Sequence, residues 1–211
     1  MLEKIKRFCE AREGEFGLIS EERKLVLKQL SDYISKKYAE GKTPEMTVIC
    51  THNSRRSHLG QLWLAVGAEY YGLPAVETFS GGTEATAFNI RAVNAMREIG
   101  FRITTYDAKA TNPNYGIKWS SDVAVYHAFS KKYETAPNPT KDFAAIMVCN
   151  SADKGCPVVA GCDFRLFLPF DDPKAFDDTD LEAAKYTERA EQICREMLFV
   201  FSSIMIKTTG T

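Results

Sequence analysis

The residues with the clearest chemical potential lie in one short loop, Cys50-Thr51-His52-Asn53-Ser54-Arg55-Arg56-Ser57. The β-rich run 46–50 precedes this loop and a helical pattern follows it, so the loop should join a strand to a helix. Such a loop can turn backbone N–H groups inward, and the N-terminus of the helix adds partial positive charge. Arg56 supplies a planar guanidinium that can hold two oxygens of a tetrahedral anion. The spacing therefore predicts that residues 51–56 bind an oxyanion.

The thiol at the start of this loop is the predicted nucleophile. A positive field that attracts an oxyanion also favours the thiolate form of Cys50, which is the reactive form of cysteine. Ser57 is placed to hydrogen-bond the sulfur and to assist its departure as a leaving group. We therefore predict Cys50, Arg56 and Ser57 to be the catalytic residues of the loop.

Composition and charge limit the partners of the 211-residue chain. Its formal net charge is −1, so neither nucleic acid nor an anionic membrane surface is expected as a partner. The start of the chain, Met1-Leu2-Glu3-Lys4, is too charged for a signal peptide, and no apolar stretch reaches the ~18 residues of a membrane span. These features predict a cytoplasmic location.

The remaining sulfur and imidazole groups give weaker signals. The six cysteines are Cys9, Cys50, Cys149, Cys156, Cys162 and Cys194. In the cytoplasm they would be reduced, catalytic or metal-binding rather than a disulfide framework. Cys9 and Cys194 lie in helical patterns and are expected in the core. The others lack the close pairs of structural zinc sites, so we predict no metal and no cofactor. His58 and His127 also lack ligand-like spacing and are expected at the surface or at a sheet edge.

Hydrophobic periodicity predicts the elements that position the loop. Helices are predicted over residues 2–12, 20–41, 57–71, 89–99 and 179–206, and strands over 46–50, 76–80, 102–106, 123–127, 143–148 and 165–168. From residue 46 onward strands alternate with helices, which indicates a parallel sheet with helices on both faces. Residues 1–44 should form an N-terminal helical extension on a catalytic domain of residues 45–211. Within that domain, residues 112–140 should form a hairpin-like excursion.

The loop and the segments after it resemble a known superfamily. Together with Thr78-Phe79-Ser80-Gly81-Gly82-Thr83 and the helix over 89–99, the loop is similar to that of the low-molecular-weight protein tyrosine phosphatases, a superfamily that includes thioredoxin-coupled arsenate reductases. The resemblance covers residues 46–110 and 143–205. It implies an α/β three-layer sandwich with a central four-stranded parallel sheet. Two loop residues depart from the pattern: His52 replaces the usual Gly, and Arg55 replaces a frequent Cys.

A second cysteine segment extends the resemblance toward the reductases. The stretch Cys149-Asn150-Ser151-Ala152-Asp153-Lys154-Gly155-Cys156-Pro157 is similar to their redox segment in spacing and in the residues that flank each cysteine. The resemblance implies that Cys149 and Cys156 act as catalytic thiols in a disulfide relay. They could form a disulfide only if the segment between them loosens, because the Cα atoms of a disulfide must approach within about 7 Å.

The resemblance also points to a general acid. The superfamily carries this acid as an Asp directly before Pro, which corresponds here to Asp172 before Pro173. Its role would be to protonate the leaving oxygen. The next residues are Lys174-Ala175-Phe176 rather than the paired tyrosines of many tyrosine phosphatases, which disfavours phosphotyrosine as the substrate.

Three functions are compatible with these residues. The favoured one is arsenate reduction by Cys50, Cys149 and Cys156, with thioredoxin as the reductant. The alternative is phosphomonoester hydrolysis, most simply of phosphotyrosine, through a Cys50 phosphoenzyme. The third is a non-enzymatic module that binds an anion or a partner. The expected substrate is accordingly arsenate, phosphate or phosphotyrosine.

Overall fold

The computed structural model of the protein describes residues 1–155 and 158–204. The strands are β1 (Glu45–Cys50), β2 (Glu77–Gly82), β3 (Arg102–Thr105), β4 (Tyr115–Lys118), β5 (Tyr126–Ala128), β6 (Phe143–Met147) and β7 (Cys162–Phe167). The α-helices are α1 (Glu3–Glu13), α2 (Glu21–Ala39), α3 (Arg56–Tyr70), α4 (Ile90–Ile99), α5 (Asn150–Gly155) and α6 (Glu182–Ser202). Two 3-10 turns cover Phe16–Leu18 and Pro173–Phe176.

The central sheet has the strand order β2-β1-β6-β7, and every neighbouring pair is parallel. β1 and β6 are buried along nearly their whole length, as expected for central parallel strands that are covered on both faces. The predicted α/β sandwich with a central four-stranded parallel sheet is therefore confirmed.

Helix α6 connects the helices around this sheet, because it packs against α1, α2, α3 and α4. It approaches α3 most closely at Gly67, where a Cβ atom would lie 2.7 Å from a ring carbon of Phe201. The two N-terminal helices belong to the same hydrophobic core, to which they contribute residues such as Ile5 and Leu30. Cys9 and Cys194 are fully buried in this core, as predicted. Among the helices of the described residues, none is long and apolar enough to cross a membrane.

The assignment of residues 102–106 to the parallel sheet was wrong. β3 is a strand, but it belongs to a separate antiparallel sheet of order β3-β4-β5. Along β3 exposed residues alternate with half-buried ones, which is the pattern of an antiparallel sheet with one face toward water. The predicted excursion therefore contains the hairpin of β4 and β5, and it also pairs with the strand before it. β4 itself was not predicted.

Candidate active site

The candidate loop runs from the end of β1 to the start of α3, as its sequence predicts. Asn53 has φ 44°, in the left-handed region that asparagine tolerates better than most residues. The last residue of β2, Gly82, lies directly against the loop. A Cβ atom on Gly82 would come within 2.6 Å of the Thr51 oxygen and 2.7 Å of the Asn53 nitrogen. Only glycine therefore allows β2 to support the loop at this distance.

The carbonyl groups of the loop are held by donors outside it. The bonds are Thr83 N to Cys50 O (3.2 Å), Glu84 N to Thr51 O (2.8 Å), Ser130 Oγ to His52 O (3.0 Å) and Asn89 N to Ser54 O (2.9 Å). In a trans peptide the C=O and the following N–H point in opposite directions. The N–H groups of Thr51, His52, Asn53 and Arg55 therefore point away from these outer segments. This orientation can form a cradle for an oxyanion at the N-terminus of α3.

A chain of hydrogen bonds fixes the proton of Ser57 toward the nucleophile. The backbone N–H of Lys131 donates to Asn53 Oδ1 (2.9 Å), which sets the orientation of the Asn53 amide. Asn53 Nδ2 therefore donates to Ser57 Oγ (2.9 Å). The Ser57 hydroxyl thus has its own proton left for Cys50 Sγ, which lies 3.1 Å away. The arrangement suits a thiolate at Cys50, because an anionic sulfur needs donors.

Arg56 and the predicted acid meet at the mouth of the loop. Arg56 Nη2 lies 2.6 Å from Asp172 Oδ2, and Arg56 Nη1 donates to the carbonyl of Phe170 (2.8 Å). A cavity of about 390 Å³ opens here, lined by Arg56, Cys149, Asn150, Ser151, Pro169, Phe170, Asp171 and Asp172. The cavity places the guanidinium, the second cysteine and the acid around one space that is large enough for a small oxyanion.

Cys149 follows the end of β6, which neighbours β1 in the sheet. Ile49 is paired with Met147, so the chain segments that begin with Cys50 and Cys149 leave the sheet side by side. Cys149 Sγ lies 3.4 Å from Thr51 Oγ1 and accepts a hydrogen bond from the Ala152 N–H (3.4 Å). Its thiol is buried against the oxyanion loop. The predicted partner thiol, Cys156, lies outside the described residues.

The two unusual residues of the loop direct their side chains away from its centre. The imidazole of His52 is half exposed and lies 3.6 Å from Glu84 at the rim. The guanidinium of Arg55 donates to Tyr186 (2.6 Å) and to Asp177 (2.9 Å). Whether either side chain contacts an anion stays a prediction.

Residues of the excursion support the loop, and no sequence pattern predicted that they would. Ser130 Oγ accepts a bond from the Thr86 N–H (2.8 Å) and donates to the carbonyl of His52. The side chain of Asn112 holds both backbone groups of Ser130, at 3.0 and 2.8 Å. Since Ser130 is 78 positions beyond His52, no local pattern could connect them.

His58 was wrongly predicted to lie at the surface or at a sheet edge. Its side chain is fully buried in α3, where it stacks on Phe88 at 4.0 Å and places Nδ1 3.2 Å from Ser80 Oγ. Burial lowers the pKa of His58 well below its usual value, and the nearby charge of Lys131 lowers it further. His58 is therefore a neutral core residue behind the loop. The physical reason is that α3 runs through the middle of the core, so even its polar residues are covered.

Comparison with known proteins identifies relatives. No family model matches the chain. An arsenate reductase of Brevibacillus brevis is 30% identical over 125 residues, which make up 59% of this chain and 73% of the relative. Arsenate reductase 2 of Staphylococcus epidermidis is 29% identical over 127 residues, or 59% of this chain and 75% of the relative.

Solved structures of low sequence identity are also similar. The low-molecular-weight protein tyrosine phosphatase of T. tengcongensis is 15% identical, with a TM-score of 0.49 over 77% of this chain and all of the other. A low-molecular-weight phosphotyrosine phosphatase of Vibrio cholerae is 12% identical, with the same TM-score over 76% of this chain and 95% of the other. The sequence relatives decide the assignment: the chain belongs to the arsenate reductase family, a family of enzymes.

Proposed function

We propose that this enzyme reduces arsenate with a relay of three thiols and that thioredoxin regenerates it. The observation that carries the proposal is the position of Cys149. Its sulfur is buried against the oxyanion loop, 3.4 Å from the residue after Cys50, and it lines the cavity that holds Arg56 and Asp172. A phosphatase needs only one thiol, whereas arsenate reduction needs a second thiol close to the first.

The first step is attack of the Cys50 thiolate on arsenic. Arg56 and the N–H groups of the loop hold the arsenate oxygens, as charge-assisted bonds to a tetrahedral anion. A sulfur–arsenic bond forms and an arsenic–oxygen bond breaks. Asp172 gives its proton to the departing oxygen, which leaves as water. Because Asp172 is paired with Arg56 at 2.6 Å, arsenate must replace Asp172 on the guanidinium before this step.

The second step transfers the electrons. Cys149, as thiolate, attacks the sulfur of Cys50, so that a disulfide forms and the sulfur–arsenic bond breaks. The electron pair of that bond stays on arsenic, which is reduced from As(V) to As(III) and leaves as arsenite. Two thiols have then supplied the two electrons. Ser57, which donates to the sulfur of Cys50, can also assist its departure when the disulfide is later exchanged.

The last steps restore the nucleophile. Cys156 attacks Cys149, which releases Cys50 as a thiolate and moves the disulfide to Cys149–Cys156. A thioredoxin dithiol then reduces this disulfide. Both Cys50 and Cys149 are buried. The relay therefore requires the segment after Cys149 to loosen, so that Cys149 and Cys156 can approach within the distance of a disulfide.

Phosphomonoester hydrolysis is the second candidate, and the Cys50, Arg56, Ser57 and Asp172 set supports it directly. The same residues would form a phosphocysteine and then hydrolyse it, while Cys149 would have no part. Because phosphate and arsenate are both tetrahedral oxyanions, we expect the enzyme to retain some phosphatase activity even if it is a reductase.

The test compares Cys149→Ser with Cys50→Ser and with Cys194→Ala, which removes a core thiol from α6 as a matched control. Arsenite formation is measured with thioredoxin, thioredoxin reductase and NADPH, and aryl phosphate hydrolysis is measured in parallel. We expect Cys149→Ser to abolish arsenite formation and to keep aryl phosphate hydrolysis within about threefold of wild type. Cys50→Ser should abolish both activities, and Cys194→Ala neither. If Cys149→Ser reduces arsenate as fast as wild type, the relay is wrong.

A further inference from the structure

We propose that the side chain of Arg55 positions the general acid: the guanidinium holds the segment that carries Asp172 against the oxyanion loop and does not itself bind the anion. The inference rests on the proposed function only in taking Asp172 as the acid. It concerns the loop residue directly before Arg56.

The side chain of Arg55 takes part in a closed triangle of hydrogen bonds. Its Nε donates to Tyr186 Oη (2.6 Å) and its Nη2 to Asp177 Oδ2 (2.9 Å), while Tyr186 Oη donates to Asp177 Oδ1 (2.7 Å). The side chains of Arg55 and Asp177 are only 12% and 16% exposed, so solvent screens this ion pair little. Burial raises the pKa of Tyr186 to about 12, and its bond to Asp177 adds to the shift, so the hydroxyl keeps its proton and stays a donor.

Two adjacent arginines therefore hold the two ends of residues 172–177, which we call the acid segment. Arg56 pairs with Asp172 and Arg55 with Asp177, and the 3-10 turn Pro173–Phe176 joins the two carboxylates. The two pairs differ in exposure, because Asp172 is 35% exposed and Asp177 only 16%. The pair at the mouth of the cavity is the one that an anion can replace.

The two arginines thus have separable tasks. When an anion takes the guanidinium of Arg56, Asp172 loses its main partner in the loop. The pair of Arg55 with Asp177 does not involve the anion and persists, so the segment stays in place. Arg91 strengthens the far end, since it pairs with Asp178 and with Glu182 of α6. Arg55 in this way keeps Asp172 within reach of the leaving oxygen at the time when Arg56 no longer can.

This assignment predicts a specific kinetic signature. A residue that binds the anion affects all substrates alike, whereas a residue that positions the acid affects only substrates whose leaving group needs a proton. Phenyl phosphate has a poor leaving group and needs the acid, while 2,4-dinitrophenyl phosphate has a good one and does not. Comparing kcat/KM isolates the first transfer from the breakdown of the phosphocysteine.

The experiment uses Arg55→Met and Arg56→Met, with Arg7→Met as a control whose exposed pair lies on α1. For Arg55→Met we expect kcat/KM for phenyl phosphate to fall about 10- to 100-fold, part of the 10²–10⁴ that a general acid contributes. The value for 2,4-dinitrophenyl phosphate should stay within about threefold, and the inhibition constant of inorganic phosphate within about twofold. Arg56→Met should weaken the binding of inorganic phosphate and lower kcat/KM for both substrates. Tyr186→Phe, a milder change in the same triangle, should show the Arg55→Met pattern at smaller amplitude.

Hydrogen exchange provides a readout that does not depend on turnover. In Arg55→Met the backbone N–H groups of Lys174 and Asp177, which bond within the acid segment, should exchange faster than in wild type and in Arg7→Met. Unchanged exchange would overturn the inference. An Arg55→Met variant that binds inorganic phosphate more weakly and has equally reduced kcat/KM for both aryl phosphates would also overturn it. The arsenate assay tests the proposed function separately. Even in an enzyme that forms no arsenite, the selective loss of activity on phenyl phosphate and the faster hydrogen exchange can be measured.

Discussion

The buried amine of Lys131 allows a quantitative prediction of stability against pH. Lys131 is 5% exposed, and its Nζ lies 4.9 Å from the centre of the Phe129 ring. Among the described residues no carboxylate forms an ion pair with it. Burial lowers its pKa from 10.5 to about 8. The folded protein therefore releases this proton at a lower pH than the unfolded chain does.

The sign and size of the effect follow from linkage. Between pH 8 and 10.5 the unfolded chain binds more protons than the folded one, so the free energy of unfolding rises with pH across this window. At about 1.4 kcal/mol for each unit of pKa difference, Lys131 should add about 2 kcal/mol between pH 7.0 and pH 9.5. Below pH 7 the contribution of Lys131 should no longer change with pH.

The assay is urea unfolding of wild type and Lys131→Met at pH 7.0 and pH 9.5. We expect the free energy of unfolding of wild type, relative to that of the variant, to increase by about 2 kcal/mol between the two pH values. Other groups that titrate in this range are common to both proteins and cancel in the difference. Lys132→Met is the matched control, because Lys132 is the exposed neighbour, and it should follow wild type. A difference between wild type and Lys131→Met that is the same at both pH values would refute the reasoning.

Three further predictions concern the loop and the acid. Ser57→Ala removes the O–H that faces Cys50 Sγ at 3.1 Å, so kcat should fall about 10- to 100-fold in steady-state assays; a loss below threefold would show that this hydroxyl does not assist Cys50. Asp172→Asn should lower kcat for phenyl phosphate about 10²–10⁴-fold in steady-state assays, and a loss below threefold would remove it as the acid. Gly82→Ala should lower the free energy of unfolding by about 1–3 kcal/mol or more, because its Cβ would lie 2.2 Å from the backbone oxygen of Glu84. A Cβ atom on Gly17 would meet nothing within 4 Å, so Gly17→Ala should leave the free energy of unfolding nearly unchanged; urea unfolding of both variants measures the difference.

The parts that depend on local pattern could be predicted from the sequence. The apolar run before Cys50 and the helical pattern after Ser57 predicted the strand–loop–helix unit within one residue at each end. Short β-rich stretches likewise predicted three of the four strands of the central sheet closely, and β7 begins only three residues before its predicted start. Burial on both faces leaves a continuous apolar signal in such strands, which is why they are recognisable.

The parts that depend on distant partners could not be predicted. Asn53 takes its orientation from the backbone of Lys131, and Arg55 takes its ion pair from Asp177, 122 positions along the chain. Neither residue type carries a signal for such a partner. The strand β3 was assigned to the wrong sheet for the same reason, since a four-residue strand does not specify which strand it pairs with.

In the proposed mechanism, Cys50 and Cys149 together supply the two electrons that reduce arsenate. The direct measurement is a single turnover: fully reduced enzyme is mixed with excess arsenate in the absence of any external reductant, and arsenite and free thiols are counted. We expect about one arsenite and the loss of about two thiols for each enzyme molecule, with a Cys50–Cys149 disulfide trapped in Cys156→Ser. No arsenite and no loss of thiols, from enzyme that still hydrolyses aryl phosphates through Cys50, would contradict it.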